Sequence, residues 1–232
     1  MKNILITGAT SGIGAKIAQV LSKNHDVFMS GRRKIDKVNY YPCDLIDMFE
    51  IEALYNKAIE YFNSDIDVLI NCAGQYIYKP IEKMEFDEIS YLLDVNFKSA
   101  YILSSLVIGG MKKKKWGRII NIGSISGVVG EANASLYSAT KSALMGMTKA
   151  LALEVANDNI TVNTINPGWV DTPLVQNSLN EVEKQEVIDV TPQRRFVEPI
   201  EIAHLCEYLI SQSAKGITGQ GINLCAGLTC GC

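Results

Sequence analysis

The chain has 232 residues, 47% of them hydrophobic, and its 22 Lys plus Arg against 25 Asp plus Glu leave a net charge of −3. That apolar content excludes wholesale disorder, and the slight acidity argues against a nucleic-acid binder or a membrane-surface protein. A chain of this length buries a large core without disulfide staples, and no run of about eighteen consecutive apolar residues reads as a transmembrane helix.

The chain opens Met1-Lys2-Asn3 and then Ile4-Leu5-Ile6. That apolar run is too short for a signal-peptide core, so the expectation is an intracellular, cytoplasmic protein. Asn3–Thr7 reads as a strand, Ile13–Lys23 as a helix, and Asp26–Ser30 and Val38–Pro42 as two further strands. Met48–Phe62 reads as a helix, Asp67–Asn71 as a strand, and Phe86–Met111 as one long helix. Arg118–Gly123 reads as a strand, Leu136–Val155 as a helix, Ile160–Asn166 as a strand, Pro199–Ser211 as a helix and Gly221–Leu224 as the last strand. Several strands are apolar throughout rather than alternating, the pattern of strands buried on both faces. Strands and helices in alternation predict a doubly wound parallel α/β fold with right-handed crossovers. No linker or repeat divides residues 1–232, so one domain is expected. Asp171–Pro199 lacks clear periodicity and carries Pro173 and Pro192, which marks it as a candidate substrate lid. Cys43, Cys72, Cys206, Cys225, Cys230 and Cys232 are irregularly spaced, which suits reduced thiols and indicates no metal site.

The strongest local signal is Thr7-Gly8-Ala9-Thr10-Ser11-Gly12-Ile13-Gly14, between the first strand and the first helix. Its glycines let the backbone turn tightly and approach a pyrophosphate at the positive end of the helix. The second strand ends Ser30-Gly31-Arg32-Arg33, with no carboxylate to bind a ribose 2′-hydroxyl. Two guanidiniums there suit a 2′-phosphate, with Arg32 nearest the strand end. Asn71-Cys72-Ala73-Gly74 ends the fourth strand with small residues that let backbone pack beside a cofactor. Ser124 ends the fifth strand, where open α/β sheets bind their ligands. Thirteen residues later, Tyr137 and Lys141 share one helix face at i and i+4. A neighbouring ammonium favours phenolate, so Lys141 is expected to lower the Tyr137 pKa from about 10.

With these residues in view, the sequence resembles the short-chain dehydrogenase/reductase family over nearly its whole length. Thr7–Gly14 is similar to the family's T-G-x-x-x-G-x-G loop, and Asn71–Gly74 to its N-N-A-G motif with Cys72 in second place. Asn96, in Asp94-Val95-Asn96-Phe97, matches a helix-borne catalytic Asn, and Ser124, Tyr137 and Lys141 match the Ser and Y-x-x-x-K. Asp44, with Leu45, matches the acidic residue beside the adenine. Asn166-Pro167-Gly168, Val170 and Thr172 match the segment that closes over the nicotinamide. The usual Gly-Gly after the last strand is here Cys225-Ala226-Gly227.

The resemblance implies a single-domain Rossmann-like sheet with strand order 3-2-1-4-5-6-7. It implies NADP(H)-dependent reduction of a carbonyl, including 3-oxoacyl groups, to a secondary alcohol, by a homotetramer or homodimer. Asn96, Ser124, Tyr137 and Lys141 would be catalytic. The cofactor would be held by Gly8, Thr10, Ser11, Gly12, Ile13, Gly14, Arg32, Arg33, Asp44, Leu45, Asn71, Ala73, Gly74, Tyr137, Lys141, Pro167, Gly168, Val170 and Thr172. A dehydrogenase oxidising a sugar or other secondary alcohol shares every motif. A non-catalytic nucleotide-sensing relative would have no need of the full Asn-Ser-Tyr-Lys set. The pocket candidates are Gln75, Tyr76, Ser126, Val128, Trp169 and residues 171–198. Lys112–Lys115 reads as a solvated helix end. Members of the family that reduce carrier-bound 3-oxoacyl groups look similar there, but Asp158 would repel an acidic carrier.

Overall fold

A computed structural model describes residues 1–230, the side chain of Leu174 excepted. Cys232, one of the three tail cysteines, lies outside the described residues. In chain order the elements are β1 (Asn3–Ile6), α1 (Gly12–Leu21), β2 (Asp26–Gly31), β3 (Tyr40–Pro42), α2 (Met48–Phe62) and β4 (Val68–Asn71). There follow α3 (Phe86–Leu93), α4 (Ser99–Lys114), β5 (Gly117–Ile122), α5 (Ser126–Val129) and α6 (Ser135–Val155). The chain continues through β6 (Ile160–Pro167), α7 (Pro173–Ser178), α8 (Glu181–Val190), α9 (Pro199–Ile210) and β7 (Gly221–Leu224). The strands form one parallel sheet in the order β3-β2-β1-β4-β5-β6-β7, as the sequence predicts.

Every residue of β4, β5 and β6 is buried. Helices cover both faces, so neither set of alternating side chains meets water. On β1, Ile4 and Ile6 enter a core with Ile17 and Leu21 of α1 and Ile202 and Leu209 of α9. Leu5, pointing the other way, joins Leu54 of α2, Leu103 and Val107 of α4 and Val162 of β6. The loops that follow the C-terminal ends of the central strands are thereby gathered along one edge of the sheet, where such folds place their sites.

The structure corrects two expectations about helices. Phe86–Met111 is not one regular helix: a π-helical turn at Asp94–Lys98 divides α3 from α4, and the helix runs on to Lys114. Its whole span, Phe86–Lys114, is long and apolar enough to cross a membrane by length and composition. Leu103, Val107 and Met111 are nevertheless buried in the core. Asp171–Pro199, read as aperiodic, contains α7 and α8. Val187 is the buried residue of α8, so no apolar stripe announced that helix.

Two details follow from backbone geometry. Lys115 closes α4 in the left-handed conformation at φ 51° and pairs with Asp158, while Lys114 pairs with Asp67 at 2.8 Å. Half of the lysine run is thus tied to neighbouring carboxylates. Ala226 and Gly227 take φ of 52° and 94° after β7. A left-handed alanine costs roughly 1–2 kcal/mol, which explains the glycine that the family pattern carries there.

Candidate active site

The glycine loop follows β1 and opens α1. A β-carbon on Gly8 would stand 2.7 Å from the Ala73 α-carbon, and its φ is 68°, so only glycine fits. Thr7 ties the two motifs together: its hydroxyl oxygen accepts hydrogen bonds from the backbone N–H groups of Cys72 and Ala73, each at 3.2 Å. Sequence reading passed over this role of Thr7.

Along this edge runs a cavity of about 370 Å³. Gly8, Thr10, Ser11, Gly12, Ile13 and Gly14 line its floor, and Arg32, Arg33, Asp44 and Leu45 line one end. Ala73, Gly74, Tyr137, Lys141 and Thr172 line the rest of the predicted set. A glycine-rich floor at a helix N-terminus, with two guanidiniums at one end, fits an elongated diphosphate ligand. Arg32 donates to the Tyr91 hydroxyl at 3.0 Å, and Arg33 reaches the Thr10 carbonyl at 3.5 Å. Tyr91, on α3, carried no signal of its own in the sequence.

Asn71 does not line this cavity. It lies beneath it and donates to Asn121 Oδ1 at 2.8 Å, which makes it a support of the strand ends. Pro167, Gly168 and Val170 line a second cavity of about 410 Å³ that meets the first at Tyr137 and Thr172. Ser124, Ser126, Tyr76 and Trp169 line this second cavity as well, whereas Gln75 faces the first. Val128 lines neither: Val129, its neighbour on the short helix α5, borders the second cavity in its place.

Tyr137 stands where the cavities join. Its ring meets Tyr76 edge-on, with centroids 4.9 Å apart, and Ser124 borders the second cavity beside it. Burial pushes its pKa up to about 12; the nearby Ser124 hydroxyl works the other way and Glu131 adds to the rise. The expected lowering by Lys141 is not found. The Lys141 Nζ lies 5.6 Å from the Tyr137 ring centroid and donates to the Ile122 carbonyl at 2.9 Å. Burial brings Lys141 itself down to about 8.

Asn96 sits on the π-helical turn. Its amide is clamped to Gln75, accepting from the backbone N–H at 2.7 Å and donating to the carbonyl at 2.9 Å, and it also donates to Thr140 at 3.2 Å. The widened turn is where the helix departs from its regular ladder, a feature frequent at functional sites. Glu131, which sequence reading missed, accepts from Tyr76 at 2.6 Å and from Ser126 at 2.7 Å. It lies in the connection between α5 and α6, where no spacing or periodicity singled it out. Asn96, Ser124, Tyr137 and Lys141 therefore converge from α3–α4, β5 and α6 beside a glycine-floored cavity. Such a set can hold a nucleotide, present a phenolic proton and receive a polarised oxygen.

A family model described as short chain dehydrogenase matches residues 2–183. A 3-oxoacyl-[acyl-carrier-protein] reductase of Rickettsia conorii is 36% identical, covering 98% of this chain and 96% of its own length. A D-beta-hydroxybutyrate dehydrogenase of Cupriavidus necator is 33% identical over 97% of each chain. A putative ketoacyl reductase of Streptomyces coelicolor is 34% identical, over 97% of this chain and 95% of the other.

Proposed function

The chain belongs to the short-chain dehydrogenase family and is an NAD(P)-dependent oxidoreductase; on that premise we propose that it reduces a ketone to a secondary alcohol with NADPH. The observation that carries this reading is the meeting of Tyr137, Ser124 and Lys141 beside the glycine-floored cavity. A bound NADPH supplies the hydride for the carbonyl carbon.

The chain's own residues supply the rest. Backbone amides of Gly8–Gly14 at the start of α1 hold the pyrophosphate. Arg32 and Arg33 hold the 2′-phosphate through charge-assisted bonds, and Asp44 with Leu45 bounds the adenine. Tyr137 donates its proton to the carbonyl oxygen. Held up to about 12, it stays protonated at neutral pH, the state that a donor requires. Ser124 donates a hydrogen bond to the same oxygen, where negative charge develops. Lys141 holds the nicotinamide ribose, and Asn96 positions a water that passes protons to Lys141. Pro167, Gly168, Val170 and Thr172 close over the nicotinamide side, and Asp171–Pro199 acts as a lid.

Relatives named for 3-oxoacyl groups and for hydroxybutyrate share an oxygen on the third carbon of an acyl chain. A 3-oxoacyl thioester is therefore the first substrate to test. Among the described residues the cysteines are free thiols, which suits a reducing cytoplasm. Exposed apolar side chains on α4 and α6, Tyr101 and Leu153, suit a homotetramer. The direct experiment follows NADPH consumption with short 3-oxoacyl thioesters, cyclic ketones and keto-sugars. Turnover that persists in Tyr137→Phe, or none with any class, would overturn the reading.

A further inference from the structure

The second cavity carries a charge of one sign. Glu131 lines it, and among the described residues no Lys, Arg or His does. The carboxylate is fixed in place: Oε1 accepts from Tyr76 at 2.6 Å and Oε2 from Ser126 at 2.7 Å. Ser126 Oγ is in turn 3.1 Å from Ser124 Oγ. Glu131 thus lies two hydrogen bonds from the hydroxyl that faces the carbonyl oxygen. A carboxylate offers about four acceptor sites, and two of them are used here. The facing wall is apolar, built from Ile125, Val129, Trp169 and Val175. The nearest buried cation, Lys141, lines the other cavity and is bonded to the Ile122 carbonyl.

We propose that Glu131 sets the charge class of the substrate: the cavity accepts neutral carbonyl compounds and rejects those with a carboxylate close to the carbonyl. This rests on the reductase reading above. A 3-oxo acid would bring a second negative charge into a cavity that already holds one. Like charges brought together on a partly buried wall repel, and no cation among the described lining residues offsets them. The ester or thioester of the same acid carries no such charge and presents its acyl chain to the apolar wall. Glu131 acts on specificity through the field it sets and the hydroxyls it orients, and its smaller contribution to the raised Tyr137 pKa falls on both substrates alike.

The test compares acetoacetate with ethyl acetoacetate, which share a carbonyl and differ in charge. The wild type should show a kcat/KM at least about 10-fold higher for the ester, where tenfold corresponds to 1.36 kcal/mol. Glu131→Gln keeps the shape and an acceptor oxygen but removes the charge. It should close that gap by about 10-fold, chiefly through KM for acetoacetate. A wild type that reduces both equally well, or a ratio that Glu131→Gln leaves unmoved, overturns the proposal. Saturation-transfer NMR of both ligands on NADP⁺-loaded protein reads binding without turnover. Ester binding alone in the wild type, with both ligands binding to Glu131→Gln, supports charge selection even if neither is reduced, in which case the reductase reading fails by itself. Equal binding of the two by the wild type, or failure of the ester to bind, overturns the role of Glu131.

Discussion

A β-carbon on Gly31 would stand 2.6 Å from the Thr10 methyl carbon and 2.9 Å from the Thr10 hydroxyl oxygen. The end of β2 and the glycine loop are therefore fitted to each other. From sequence, Gly31 marks only the absence of a carboxylate at the strand end; the structure fills the space beside its α-carbon with Thr10. Gly31→Asp alone should force Thr10 aside and weaken both cofactors. Thr10→Ala with Gly31→Asp leaves only an ordinary contact and should move preference toward NADH by at least about 10-fold, since a carboxylate binds the ribose hydroxyl and repels the 2′-phosphate. Arg32→Ala should raise KM for NADPH by about 10-fold, the low end for a charge-assisted bond, and leave KM for NADH nearly unchanged. The check is kcat/KM with each cofactor. A wild type that uses NADH as well as NADPH would contradict this.

Tyr137→Phe keeps the ring against Tyr76 and removes the proton. Turnover should fall by at least about 10²-fold, the low end for acid–base catalysis, with NADPH binding preserved. Titration of cofactor fluorescence separates the two effects. Near-normal turnover would remove Tyr137 from the chemistry.

The pH dependence follows from two opposite shifts. Tyr137 is raised to about 12, so it remains a proton donor throughout the neutral range. Lys141 is lowered to about 8, so its positive charge is present below that pH and lost above it. Reduction should be level between about pH 6 and 7.5 and decline above about 8, while oxidation of the product alcohol should rise with pH. Profiles of kcat/KM in both directions test this. Reduction that increases above pH 8 would contradict the assignment.

The doubly covered sheet was readable from runs such as Ile4-Leu5-Ile6 and Val68-Leu69-Ile70, apolar on both faces, and its strand order from the family resemblance; the buried polar residues of β5 and β6, Arg118, Asn121, Asn163 and Asn166 among them, carry no such signal. Ser124, Tyr137 and Lys141 were readable because strand end and helix periodicity fix them relative to one another. Glu131 was not, since it reaches the cavity by the path of a connection with no periodicity. The π-helical turn at Asp94–Lys98 hid inside an unbroken helical pattern. The helix α8 hid because it buries so little; its capping signal, Asn180 with Glu183 three residues on, was the legible clue.

Assembly is testable on α6. Leu144 is buried in the monomer, but Leu153 is 84% exposed, and Tyr101 on α4 is 57% exposed. A homotetramer would cover such side chains. Light scattering at micromolar concentration should give about four times the 25.5 kDa chain mass. Leu153→Glu should shift the mass toward dimer or monomer. A monomeric wild type would refute the assembly.

The segment from Asp171 to Pro199 is anchored at its ends and lightly held between them. Asp171 N–H donates to the Val197 carbonyl and Val197 N–H to the Trp169 carbonyl, both at 2.8 Å, so Val170 and Val197 pair like short strands. Between these anchors, Val187 is the buried apolar residue of α8, while Val182 and Val190 are exposed. Elements with so few buried contacts open at low free-energy cost. Thr172 and Pro173 border the first cavity, and Val175 and Ser178 the second, so closure of α7 would cover both. Hydrogen exchange should be fast across residues 173–190 in the free protein and at least about 10-fold slower with NADPH and substrate, as expected of a water-excluding lid. The amides of Asp171 and Val197 should be slow in both states. Asn180 accepts from Val182 N–H at 2.9 Å and Glu183 N–H at 3.0 Å. Asn180→Ala removes that cap at a cost of about 1 kcal/mol, so exchange in α8 should quicken by roughly 5-fold in the free protein. Exchange across 173–190 that is equally slow with and without ligands would leave this segment a fixed wall rather than a lid.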